Sequence, residues 1–213
     1  MKLLKRIAAA VLTAGLAASA GAGVAQADIR PVVNQGDRVY TLTSFSRGAC
    51  TVGYVDKHRN RAIFSGHCTF YPGQKVTDAH GRYIGNVASL AVAPGPKIQN
   101  DYAYIQLTVG RAGENTFSGD AMVAPHAVRP GEKVCTVGAT TQRVMCAPLH
   151  SVRGHKIVVN GLTATRKGDS GGPMWIPGRG LVAVNSGQVG DKELGSYPAY
   201  YFGPETLLPF KLL

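Results

Sequence analysis

The chain has 213 residues, with 23 lysines and arginines against 12 acidic residues, a formal charge of +11 and a hydrophobic share of 45%. That length holds one domain with a sizeable core, or two small subdomains sharing an interface. The basic residues are scattered and not interleaved with aromatics, and no nucleic-acid module is recognisable, so the charge reads as solvated surface rather than as a nucleic-acid footprint.

The N-terminus opens with MKLLKR, continues through the apolar run IAAAVLTAGLAASAGAGVA and reaches AQA-D. Lys2, Lys5 and Arg6 form the charged region of a secretory signal peptide, and Ala25-Gln26-Ala27 is the small-x-small pattern that signal peptidase accepts, so cleavage is expected after Ala27. The run is rich in Ala and Gly and has no basic stop, which argues against a membrane anchor, and no other segment is apolar enough to span a bilayer. Cleavage leaves 186 residues carrying +8, since three basic residues depart with the leader. A secreted, extracellular, monomeric protein is expected.

Beyond the leader, short runs rich in Val, Thr, Tyr and Ile alternate with Gly, Pro, Asn and Asp clusters. Strands are predicted at RVYTLTSF (38–45), ACTVGYV (49–55), RAIFSG (61–66), DYAYIQL (101–107), KVCTVG (133–138), KIVVNGL (156–162) and LVAVNSG (181–187). Many short strands with turn signals between them predict an all-β antiparallel sandwich or barrel. SLAVAPGPKIQ (89–99) is the best candidate for a loop between two halves. PETLLPFKLL (204–213) is predicted as a short C-terminal helix packing Leu207, Leu208 and Phe210, although Pro209 works against it.

All four cysteines lie beyond the leader, as expected for an exported, disulfide-bonded chain. Proximity groups Cys50 with Cys68 and Cys135 with Cys146, but four cysteines allow three pairings. No CxxC spacing favours a zinc site, so neither metal nor cofactor is expected.

The segment of greatest chemical interest is GDSGGP at 168–173. A serine hydroxyl is a poor nucleophile at neutral pH without an adjacent base, and that base needs an orienting group of its own. His67, in SGHC and followed at once by a cysteine that would pin its backbone, is the best base candidate. Asp101, in NDYAYIQL at the start of a predicted buried strand, is the best orienting group. His58, His80, His126, His150 and His155 have neither motif nor metal-ligand spacing and read as surface histidines.

SGHC, NDYAYIQL and GDSGGP, in that order, resemble the chymotrypsin-like serine protease family, and most of all its small secreted actinobacterial members. The resemblance runs from about Gly36 to Phe202. It implies two six-stranded antiparallel β-barrels with the active site between them. It assigns Ser170 as nucleophile, His67 as general base and then acid, and Asp101 as the residue orienting the imidazole, with an oxyanion hole from the amides of Gly168 and Ser170. The glycine suits that turn, because aiming two amides at one point often needs backbone angles closed to residues with a Cβ. His67 and Asp101 fall to the first half and Ser170 to the second. The candidate break near residue 95 sets the barrels at about 28–95 and 96–213 and leaves Asp101 at the border. The resemblance also supports the two local disulfides.

By the same resemblance the substrate pocket is formed by GLTATRK (161–167) and NSGQVG (185–190), with Ala164 at its base, Ser186, Gly187 and Gln188 as its wall, and Ala199 near the base with Tyr201 behind it. Ala164 offers no carboxylate for a substrate Lys or Arg, and Gln188, where many members carry glycine, makes the pocket shallow. Cleavage after small or medium uncharged residues is therefore expected, unless Asp191 folds inward. The chain departs from the family in lacking the disulfide beside the pocket, with Arg166 at its place, and in having no new N-terminus to pair with Asp169. A cation is expected for Asp169, with Arg143 and Arg166 as candidates. Ser65 replaces the alanine usual before Gly-His-Cys, a change expected to be tolerated. The leading reading is a secreted serine endopeptidase acting on protein or peptide substrates through an acyl-enzyme. The alternatives are an inactive protease-like binding protein at the cell envelope, and a triad enzyme acting on an ester or on a single partner protein.

Overall fold

The structure, a computed structural model, describes residues 28–43, 47–92, 101–153, 156–160, 162, 165–188 and 199–202. Its strands, in chain order, are β1 (Val32–Val33), β2 (Arg38–Leu42), β3 (Arg47–Thr51), β4 (Tyr54–Asp56), β5 (Arg61–Phe64), β6 (Lys75–Asp78), β7 (Tyr83–Val92), β8 (Asp101–Gln106), β9 (Arg111–Ala112), β10 (Lys133–Thr136), β11 (Met145–Arg153), β12 (Lys156–Val159), β13 (Pro173–Ile176), β14 (Gly180–Gln188) and β15 (Ala199–Phe202). Two 3-10 turns, Gly66–Cys68 and Pro125–Ala127, are the only helical pieces among the described residues, and no helix there is long and apolar enough to cross a membrane.

The first sheet runs β3-β2-β6-β7-β8-β5-β4, every neighbouring pair antiparallel. Its two edge strands, β3 and β4, are consecutive in the chain and separated only by Val52 and Gly53. The sheet therefore curls until its edges are the two halves of one bent strand, which gives a six-stranded half in which one strand is broken. Gly53 sits at the bend, where an added Cβ would lie 2.4 Å from the carbonyl oxygen of Gly171 and 2.5 Å from Val184 Cγ1; only a glycine lets the other half approach so closely. Strand alternation sets the core: in β2, Val39 and Thr41 point inward while their neighbours are half-exposed. Val39, Val55, Phe64, Val76, Ile84 and Ile105 fill the interior.

The second half is a closed barrel in the order β10-β11-β12-β15-β14-β13. Val134, Leu149, Ile157, Val159, Met174 and Val182 fill it. Two disulfides form, Cys50–Cys68 and Cys135–Cys146, the pairing that proximity and the resemblance both favoured. The second joins residues directly opposite each other on β10 and β11. The first ties β3 to the turn that carries His67.

Two expectations about chain organisation are corrected. Residues 89–99 do not separate the halves: β7 continues to Val92 and pairs with β8, so the segment connects neighbours within the first sheet, and Asp101 belongs to that sheet. Gly85, Asn86 and Ser89 interrupt the strand pattern of β7, and the Pro-Gly-Pro that follows it reads as a turn. The chain leaves the first half later, at Asp120–Ala121, where the Tyr54 hydroxyl donates to the Asp120 carbonyl (2.9 Å) and the Leu181 amide, of the second barrel, donates to the Ala121 carbonyl (2.9 Å). The barrels are thus about 28–120 and 121–202 rather than divided at residue 95. The predicted signal peptide and the C-terminal helix at 204–213 lie outside the described residues.

Candidate active site

His67 occupies the 3-10 turn directly after β5. The turn is fixed by the Cys50–Cys68 bridge and by the Thr41 hydroxyl, which donates to the Cys68 carbonyl at 2.6 Å. Asp101, the first residue of β8, is 2% exposed. One oxygen of its carboxylate accepts the backbone N–H of His67 at 2.7 Å, and the other lies 2.7 Å from His67 Nδ1. The Ser186 hydroxyl donates to that second oxygen. This arrangement suits the tautomer in which Nδ1 donates its proton to the carboxylate and Nε2 presents its lone pair. The His67 side chain is 41% exposed, so the ring is reachable from solvent.

Ser186 reaches Asp101 because of a bulge. β14 pairs with β15 at Asn185↔Tyr201 and then at Gly187↔Tyr200, skipping Ser186, and such an extra residue re-aims its side chain. Ser186, expected as part of the pocket wall, turns its hydroxyl to the His67–Asp101 pair. The placement of Gly187 and Gln188 in β14 and of Ala199 and Tyr201 in β15 is backbone only, with Gln188 opposite Ala199. Ala164 and Asp191 lie outside the described residues.

The GDSGGP loop lies against the His67 segment through one shared acceptor. The Asn185 carbonyl takes the Gly171 amide at 2.7 Å and the Ser65 hydroxyl at 2.6 Å. Ser65, fully buried, is therefore a bond between the two barrels and not only a tolerated change. Thr51 makes a second junction: its amide donates to the Ser170 carbonyl (2.8 Å) and its hydroxyl to the Gly168 carbonyl (2.7 Å).

Within the loop the amides of Asp169, Gly171 and Gly172 donate to Arg166, Asn185 and Asp169 carbonyls at 3.0, 2.7 and 3.0 Å. The amides of Gly168 and Ser170 have no acceptor among the described residues, and neither does the half-exposed Ser170 hydroxyl. Two unpaired amides flanking a paired one suit an oxyanion hole, and catalytic hydrogen bonds are often made only in the substrate complex.

The cation expected for Asp169 is not found. Its carboxylate, 1% exposed, accepts the amides of Thr140 (2.9 Å) and Thr141 (3.0 Å) on one oxygen and of Arg166 (2.8 Å) on the other, and no side-chain cation touches it among the described residues. Three amide donors compensate the buried charge in place of an ion pair. Arg166 contributes its backbone, and Arg143 is exposed. His58, His80, His126 and His150 are exposed, as expected of surface histidines, and His155 is outside the described residues.

Sequence reasoning missed Thr51, Thr140 and Arg38. Arg38, on β2, donates to the Ala139 carbonyl and to Thr140 Oγ1 across the two barrels. Each reads locally as a β-former or a surface charge, and partners about a hundred positions away leave no local signal.

No family model matches the chain. A sequence relative, the uncharacterized protein Rv1815 of Mycobacterium tuberculosis, is 30% identical over 160 residues, 70% of this chain and 71% of its own. Among solved structures, the Nocardiopsis protease NAPase matches with a TM-score of 0.60 at 20% identity, covering 84% of this chain and 95% of its own. The Cellulomonas bogoriensis chymotrypsin matches with a TM-score of 0.58 at 18% identity, covering 84% and 96%. The chain belongs to one family with the mycobacterial protein, and its fold is that of the chymotrypsin-like serine proteases of the small actinobacterial type.

Proposed function

We propose that the chain is an exported serine endopeptidase that hydrolyses peptide bonds through an acyl-enzyme. The observation that carries this reading is the buried Asp101 carboxylate gripping both the backbone and the ring of His67, beside a loop in which the amides of Gly168 and Ser170 alone lack acceptors. In the proposed cycle Ser170 Oγ attacks the scissile carbonyl carbon and its proton passes to His67 Nε2. The carbonyl oxygen becomes an oxyanion received by the Gly168 and Ser170 amides. Collapse breaks the C–N bond, His67 gives its proton to the departing amine, and the acyl group remains as an ester on Ser170. Water, giving its proton to His67, then attacks the ester carbon; the C–Oγ bond breaks, Ser170 Oγ takes the proton back from His67, and the acid leaves. Asp101 stays ionised throughout and stabilises the transient imidazolium.

Two finer points belong to the proposal. Export rests on the N-terminal sequence together with the two disulfides. Cleavage after small or medium uncharged residues rests on Ala164 and Gln188, which the resemblance places at the pocket base and wall.

The test is the intact mass of the disulfide-bonded protein before and after a fluorophosphonate probe, with the labelled peptide mapped. One adduct on Ser170, absent from Ser170→Ala, is expected. An unlabelled folded protein overturns the enzymatic reading in favour of a binding protein built on the same fold.

A further inference from the structure

An oxyanion hole works only if its donors are aimed before the reaction begins. A trans peptide is planar, with its N–H and C=O pointing in opposite directions, so whatever grips the carbonyl of a peptide also aims the amide on its other side. For the Ser170 amide, the carbonyl across its peptide is that of Asp169, and it is held from within the loop by the Gly172 amide at 3.0 Å, with Asn185 Nδ2 at 3.3 Å. For the Gly168 amide the carbonyl is that of Lys167, an exposed residue, and the group that holds it comes from another part of the fold: the Thr140 hydroxyl, at 2.9 Å.

That hydroxyl has its own direction imposed on it. Arg38 is a pure donor, and its Nη2 lies 3.1 Å from Thr140 Oγ1, so the threonine oxygen accepts there and its single proton is directed to Lys167. Arg38 is anchored in turn on the Ala139 carbonyl, and the Thr140 amide is held by Asp169. Gly168 leaves room for the contact. Its φ is +97°, and a Cβ there would lie 2.4 Å from Thr140 Oγ1, so the strap and a side chain at position 168 exclude each other.

From these contacts we infer that Thr140, aligned by Arg38, is a positioning residue for oxyanion stabilisation: it holds the Lys167–Gly168 peptide with its N–H turned toward the Ser170 loop. The inference rests on the proposed role of Ser170. Without the Thr140 hydroxyl the Lys167 carbonyl has no partner among the described residues, and the peptide is free to rotate and present its carbonyl, an acceptor, where a donor is needed. The first barrel, through Arg38 on β2, thereby controls a donor carried by the second.

The experiment measures the second-order rate of Ser170 labelling by a fluorophosphonate, whose phosphoryl oxygen occupies the oxyanion position, as a function of pH, together with the thermal midpoint. It compares wild type, Thr140→Val, Thr140→Ser and Arg38→Met. Thr140→Val should label at least about tenfold more slowly, approaching the roughly 100-fold or greater loss seen when an oxyanion donor is removed outright. Thr140→Ser should restore the rate, and Arg38→Met should lie between. The pH midpoint of labelling, which reports His67, should be the same in all four. Wild-type labelling with Thr140→Val at an equal rate overturns the inference alone. A slow Thr140→Val with a displaced midpoint, or one that Thr140→Ser does not rescue, also overturns it, since the residue then acts on the site as a whole. A wild type that does not label overturns the proposed function and the inference with it.

Discussion

Thr51 is the most informative residue for testing how the two barrels are joined. It is fully buried, and its hydroxyl donates to the Gly168 carbonyl at 2.7 Å while accepting the Ala139 amide at 2.9 Å. Both partners belong to the second barrel and are themselves buried. Thr51→Val keeps the shape and removes the hydroxyl, leaving one buried acceptor and one buried donor unpaired. Each orphan costs about 1–3 kcal/mol, so a loss of roughly 2–6 kcal/mol is expected, a large part of the 5–15 kcal/mol typical of a domain. Thr51→Ser keeps both bonds and removes one methyl group, which should cost about 1 kcal/mol. Urea unfolding with the disulfides intact, followed through Trp175, the only tryptophan and a buried residue of the second barrel, separates the two variants. The midpoint should fall far more for Thr51→Val at an unchanged dependence on denaturant. Equal stabilities, within about 0.5 kcal/mol, would refute the claim that this hydroxyl joins the barrels.

Two further predictions concern charge. In Asp101→Asn the amide cannot accept the His67 backbone and ring N–H together with the Ser186 hydroxyl, and its Nδ2 favours the wrong imidazole tautomer; Ser170 labelling should drop on the order of 10⁴-fold, and a loss under tenfold would contradict the orienting role. For Asp78, burial works against the charge, but the Arg82 side chain and the amides of Arg82 and His80 outweigh it and hold the carboxyl below its ordinary value of 3.8. A depressed acid contributes stability that is present above the unfolded value and lost as pH falls through the folded one. Asp78→Asn should therefore melt below wild type at pH 7 and converge with it at a pH below the depressed folded value. A gap of the same size at both pH values would show that ionisation is not involved.

Much of the candidate site was legible because it is local. SGHC encodes a strand end, a turn and the cysteine that pins it; GDSGGP encodes a tight loop whose glycine at 168 takes a left-handed φ; NDYAYIQL encodes a carboxylate at the mouth of a buried strand. The pairing of nearby cysteines was legible for the same reason. The break between the barrels was misplaced because Pro-Gly-Pro is a strong local turn signal, whereas the true crossing at Asp120–Ala121 is marked only by which barrel each neighbouring carbonyl bonds.

The amino-acid sequence by itself determined the all-β class, pointed to His67, Asp101 and Ser170 as candidate base, orienting acid and nucleophile, and favoured the two disulfides that form, since each of these depends on residue type and on neighbours a few positions away. Only the tertiary structure decided how Asp169 is neutralised and what aims the loop. An amide carries no residue identity, so three backbone donors on a buried carboxylate are invisible in a sequence where a missing cation is conspicuous. Ser65, Thr51, Thr140, Arg38 and Ser186 act through partners 27 to 120 positions away; the Thr140–Lys167 bond needs the second barrel to fold, and the others exist only once the two curled sheets have been brought face to face.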